Sequence, residues 1–212
     1  MNLRLLILLS MLPVSALAAP PVAPRVCVQP LGTHDARLLN LVVEGIRCQY
    51  GVEVVVRPAL PMPRTAWHAA RSRHRADRLL AFLSRLDAPD CLRVGFTSQD
   101  VSTTAHGVAD WGVFGLGEVG GTAAVVSTFR LARRAMPQVL RERAVKVVNH
   151  ELGHVLGLDH CPTPGCVMQD AAGTVATVDT SITNYINFNV ACSSSSSSNT
   201  ITLQQLIVLG LN

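Results

Sequence analysis

The chain has 212 residues, 49% hydrophobic and 15% charged. That composition supplies a core and excludes an intrinsically disordered chain, and the length fits one ordinary domain. The formal net charge is +4, with Arg71, Arg73, Arg75 and Arg78 crowded together; a solvated helix face explains such crowding more simply than a nucleic-acid patch. Residues 1–18 read as a secretory signal peptide. Arg4 gives the positive start, Leu5 to Leu9 a short apolar run, and Ala16-Leu17-Ala18 the small-x-small cleavage site. The run is too short to span ~30 Å of hydrocarbon, and Pro13 interrupts it, so no membrane anchor is expected. The expected location is secreted or periplasmic.

Residues 26–29 form a strand candidate ending at Pro30. Residues 35–50 carry Leu38, Leu39, Val42, Val43 and Ile46 at helical spacing, closed by Gly51. Residues 52–56 are β-branched and read as a strand before Pro58. Residues 73–86 again show helical spacing, through Leu79, Leu80, Phe82, Leu83 and Leu86. Residues 92–97 predict a third strand, residues 107–121 a Gly- and Trp-bearing loop or irregular edge, and residues 123–128 a fourth strand. Pro137 suits the first position of a long helix, which Gly157 should stop. This strand–helix alternation predicts a sheet with helices packed on it. The domain is expected over residues 19–180. Residues 181–212 read as an atypical, disordered Ser-rich tail, because the run Ser193 to Ser198 buries no apolar surface.

The chemistry concentrates between His150 and Met168, in HELGHVLGLDHCPTPGCVM. His150 and His154 are four residues apart, which on a helix puts both imidazoles on one face, able to share a metal ion. Glu151 stands beside them as the candidate general base on zinc-bound water. Gly157 permits the sharp turn that brings His160 back as a third ligand. HExxH alone is a modest signal; the eleven-residue HExxHxxGxxH is a strong one.

The stretch resembles the archaemetzincins, metzincin-clan zinc metallopeptidases whose motif continues past the third histidine as Cys, four residues, Cys, one residue, Met. Cys161, Cys166 and Met168 match it. Val28 to Gly32, Thr97 to Asp100, Asp110 to Gly115 and Val126 to Thr128 look like further blocks of the family, so the resemblance covers roughly residues 26–179. It implies an α+β, metzincin-like zincin fold: a twisted mixed sheet over an active-site helix, with a small C-terminal subdomain. It implies one catalytic zinc, a Met-turn at Met168, and a second, structural zinc held by four cysteines. Cys161 and Cys166 match the first two of those. The last two should form a CxxC near Ile186 and Asn189, where this chain has no cysteine; only Cys192 follows. Three readings follow: the tail is aberrant, Cys161 and Cys166 form a disulfide, or the second zinc is held weakly with Cys192 and a non-cysteine ligand.

Cys27, Cys48 and Cys91 are disulfide partners or small buried residues, and sequence does not pair them. His34, His68, His74 and His106 have no ligand spacing and read as surface residues. Trp111 and Phe114 suit core packing better than a cleft wall. The expected activity is hydrolysis of peptide or protein substrates by a monomer, with no nucleic-acid or membrane partner. The strand at residues 123–127 is expected to hold an extended substrate by strand addition. A catalytically degenerate zinc-binding protein of the same fold is the alternative.

Overall fold

The computed structural model describes residues 25–88 and 90–181. The signal-peptide reading and residues 182–212, Cys192 among them, lie outside these residues.

Strand β1 (Arg25–Pro30) leads into helix α1 (Ala36–Tyr50). Asp35 caps that helix by accepting hydrogen bonds from the backbone N–H groups of Arg37 and Leu38 at 2.8 and 3.1 Å. Gly51 closes it in the left-handed region, φ 63°. Strand β2 (Val54–Val56) follows, then β3 (Trp67–His68), β4 (Arg73–Arg75) and helix α2 (Ala76–Leu83). Strands β5 (Cys91–Thr97), β6 (Val101–Ala105), β7 (Val108–Gly112), β8 (Gly115–Gly117) and β9 (Ala123–Ser127) come next. The described chain closes with α3 (Pro137–Val155) and the short α4 (Val175–Thr180).

The main sheet has the order β2-β1-β5-β9-β8. Its first four strands are parallel, and β8 runs antiparallel to β9 at one edge. Successive side chains of β9 point to opposite faces. Ala124 and Val126 join the core beneath α1 and α3, while Ala123 and Val125 face α2. The sheet is thus covered on both sides. Both clusters are wholly apolar at their centres, with Val42, Ile46, Val94, Phe96 and Val148 fully buried in the larger one. The Tyr50 hydroxyl donates to the Asn149 carbonyl at 2.7 Å, tying the end of α1 to the turn of α3 that precedes His150. Tyr50→Phe should lower stability by about 1 kcal/mol in urea unfolding, with the midpoint shifted and the slope unchanged.

A second sheet has the order β3-β4-β6-β7, and the strands of this region correct four sequence expectations. Residues 73–75 are not the start of a helix. They form β4, pairing parallel to β6, and α2 begins only at Ala76. The arginines there do not line a solvated helix face. Arg73 lies 3.4 Å from Asp100 and 3.6 Å from Asp110, and Arg75 lies 3.0 Å from Asp77, so the cluster is largely paired within the protein. His74 is buried between these strands rather than on the surface, and His68 sits 3.5 Å from Asp110. The Gly-rich residues 107–121 are also not irregular: they supply β7 and β8.

Cys27 and Cys91 form a disulfide joining β1 to β5, and Cys48 is disulfide-bonded as well. No helix of the described residues is long and apolar enough to cross a membrane.

Candidate active site

Helix α3 is buried along most of its last three turns, yet it carries Arg143, Lys146, Asn149, Glu151 and two histidines. Buried polar groups need partners, and most of these have them. Arg143 reaches Asp179 with two hydrogen bonds of 2.7 and 2.8 Å and the Leu131 carbonyl at 3.0 Å.

The helix ends at Val155, two residues before Gly157. The Leu158 N–H donates to the Gly153 carbonyl at 3.0 Å and the Gly157 N–H to the His154 carbonyl at 2.8 Å. Those two bonds form a Schellman motif, with Gly157 at φ 91°. The turn carries the chain back so that His160 joins His150 and His154. One ring nitrogen from each lies within 4.8 Å of the others. Gly157→Ala should cost about 1–2 kcal/mol, since an L-residue resists this region. The strain falls on the turn that places His160, so competition with a chromophoric chelator should show weakened zinc binding.

The remaining nitrogens decide the tautomers. His150 Nδ1 lies 2.7 Å from the Val167 carbonyl, and His154 Nδ1 lies 2.7 Å from the Leu158 carbonyl. A carbonyl only accepts, so each Nδ1 carries the proton and each Nε2 keeps a lone pair; the two Nε2 atoms lie 3.1 Å apart. Burial pushes the His150 imidazole down to about 4 and lowers His154 as well. Neutral imidazoles with Nε2 lone pairs converging on one point are a donor set that fits zinc. Among the described residues this is the one group of three side chains that could hold a metal ion.

Glu151 is buried next to this group. Burial pushes its carboxyl up to about 8, and the Gly117 backbone N–H beside it pulls the other way. Strand β8 passes very close here: a Cβ at Gly115 would come within 2.6 Å of Glu151 Cγ. Met168 is buried against the other side of the helix, where a Cβ at Gly153 would meet its sulfur at 2.5 Å. The Cys161 N–H donates to the Met168 carbonyl at 2.9 Å, closing the loop between them.

Residues 93–194 match the model of peptidase family M54. The archaemetzincin of Halobacterium salinarum is 33% identical over 163 residues, spanning 73% of this chain and 91% of that protein. The archaemetzincin of Archaeoglobus fulgidus is 32% identical over 145 residues, 68% and 84% of the two chains. Its crystal structure, complexed with malonate, superposes with a TM-score of 0.64 at 32% identity, covering 74% of this chain and 92% of that one. The crystal structure of archaemetzincin from Methanopyrus kandleri gives 0.66 at 30% identity, covering 78% and 90%. The chain belongs to the archaemetzincins. As an archaemetzincin it is a zinc metallopeptidase with a metzincin-like zincin fold.

Cys161 and Cys166 are both free thiols in this structure and hydrogen-bond each other, so the disulfide between them is not formed. Trp111 corrects its expectation. It is half-buried and lines the cleft in front of the histidines, stacked edge-on with His106 at 5.2 Å, whereas Phe114 belongs to the core and also reaches the cleft. The cleft has a volume of about 330 Å³, and Gly115, Val147 and Ala171 contribute to its walls. The edge of the sheet at the cleft is β8, not β9, which is paired on both sides by β5 and β8. Sequence reasoning missed β8 as the exposed edge, and it missed Lys146. That residue lines the cleft one helical turn before His150, and the four-residue spacing marks the face it shares with His150 but not its contacts to α4.

Proposed function

We propose that His150, His154 and His160 hold the catalytic zinc and that Glu151 is the general base and then the general acid of peptide-bond hydrolysis. The observation that carries this is the convergence of three imidazoles beside a buried carboxyl at the base of one cleft. Bound there, zinc supplies Lewis acidity that polarises a scissile carbonyl and makes water a competent nucleophile near neutral pH. Glu151 takes the proton from the attacking water and returns it to the departing amine. A carboxyl raised by burial toward neutrality is suited to both transfers. Met168 acts as the Met-turn, a hydrophobic support holding the histidine-bearing helix from behind.

Strand β8 holds an extended peptide by backbone hydrogen bonds along its open edge. Close packing against Glu151 requires glycine at position 115, and this same packing sets the distance between the peptide and the base.

Residues 19–180 form the catalytic domain, and the protein is exported to the periplasm or the cell exterior. The Cys27–Cys91 disulfide supports export, because such bonds persist in oxidising compartments. Cys161 and Cys166 are offered as ligands of a second, structural zinc; Cys192 is not, because Cys48 is disulfide-bonded and the other four cysteines are accounted for.

The test is incubation of the zinc-loaded protein with a diverse peptide mixture, with and without a chelator, read by mass spectrometry. Chelator-sensitive cleavage supports the proposal. Its absence, in folded protein shown to contain zinc, contradicts it.

A further inference from the structure

Lys146 is 6% exposed and lies one turn before His150 on α3. Its Nζ donates to the carbonyls of Val178 and Asp179, each at 3.0 Å, in the last turn of α4. Two of its three N–H donors are thereby used. No ion pair within 4.0 Å involves Lys146 among the described residues. The nearby Asp179 carboxylate is taken by both arms of Arg143. A buried ammonium without a carboxylate partner is costly. This one forms part of the wall of the cleft that contains His150, Glu151 and His154.

The edge strand gives the site a direction. Gly115 packs on Glu151, and the Gly120 N–H donates to the His154 carbonyl at 2.9 Å, so the chain from β8 onward passes α3 in the same sense as the helix. A peptide added antiparallel to β8 therefore runs from the Gly117 end toward the Gly115 end. Its half beyond the scissile bond heads for the turn of α3 that carries Lys146.

We infer that Lys146 is a specificity-determining residue that receives a substrate carboxylate on the leaving-group side of the scissile bond. The inference rests on the peptidase reading above. The carboxylate comes either from an acidic side chain just after the bond or from the C-terminus of a short leaving fragment. The two differ only in the substrate, which makes them separable. The contact to the α4 carbonyls fixes the ammonium in place, so that the third donor meets the ligand without reorganisation.

The test starts from a peptide the enzyme cleaves and changes only the residue after the bond, Glu against Gln, and the end group, free acid against amide. The zinc-loaded protein should cleave at least one carboxylate-bearing member with kcat/KM about tenfold or more above its neutral partner, as expected of a charge-assisted hydrogen bond. A Glu-over-Gln preference identifies the side chain as the source, and an acid-over-amide preference the terminus. Lys146→Met should flatten the series and Lys146→Arg should retain it. Binding of the same peptides to zinc-loaded Glu151→Gln, measured by calorimetry, should show the same preference without turnover. Equal use of charged and neutral members by the unaltered protein overturns the inference, whatever the variants do. A preference that survives Lys146→Met also overturns it. Cleavage without preference would remove Lys146 and leave the Glu151 mechanism standing, whereas a carboxylate preference in turnover that Glu151→Gln does not slow would support Lys146 and remove Glu151 from the mechanism.

Discussion

Glu151→Gln should retain zinc and lower kcat by about 10²–10⁴-fold, the usual contribution of a positioned acid–base group. The substitution keeps the shape of a side chain packed against Gly115 and changes only its ability to carry a proton. The histidines and their second partners, the Val167 and Leu158 carbonyls, are untouched. KM should move little, because the loss falls on the transition state rather than on substrate binding. Steady-state peptide hydrolysis, with metal content measured on the same sample, checks both halves. Activity within a few-fold of the unaltered protein would remove Glu151 from the mechanism.

The second large effect concerns stability. The Cys27–Cys91 bond closes a loop of sequence separation 64 and joins adjacent central strands. In the chain-entropy account, opening a loop of that length costs about 4 kcal/mol. Replacing both cysteines by Ala should therefore lower the urea midpoint sharply, with zinc loading held constant. The Cys48 bond remains in that variant, so the effect belongs to one bridge. An unchanged midpoint would mean that the bridge contributes nothing, and it would weaken the argument for an oxidising compartment.

The proposed catalytic group was legible because it is local. His150, Glu151, His154, Gly157 and His160 span eleven residues, and the helix period with one glycine turn is enough to bring them together. Helix α1 was legible for a similar reason, since Asp35 and Gly51 mark its ends by short-range hydrogen bonds. What stayed hidden depends on distant partners. Residues 73–75 have helical apolar spacing after them, but Arg73 and His74 are drawn into a strand by β6 and by Asp100 and Asp110. Strand β8 is two-thirds glycine, a composition of low strand propensity. It forms a strand there because β9 pairs with it and the close approach to α3 excludes side chains. Lys146 looked like any helix lysine until α4, some thirty residues later, folded back onto it. The Cys27–Cys91 pairing likewise needed the parallel register of β1 and β5.

The most direct test of the central claim is the zinc content of the purified protein beside His150→Ala, His154→Ala and His160→Ala, each shown to be folded. Each histidine variant should bind one equivalent less than the unaltered chain, whatever the cysteines hold. Full zinc content in any one of them would contradict the three-histidine centre.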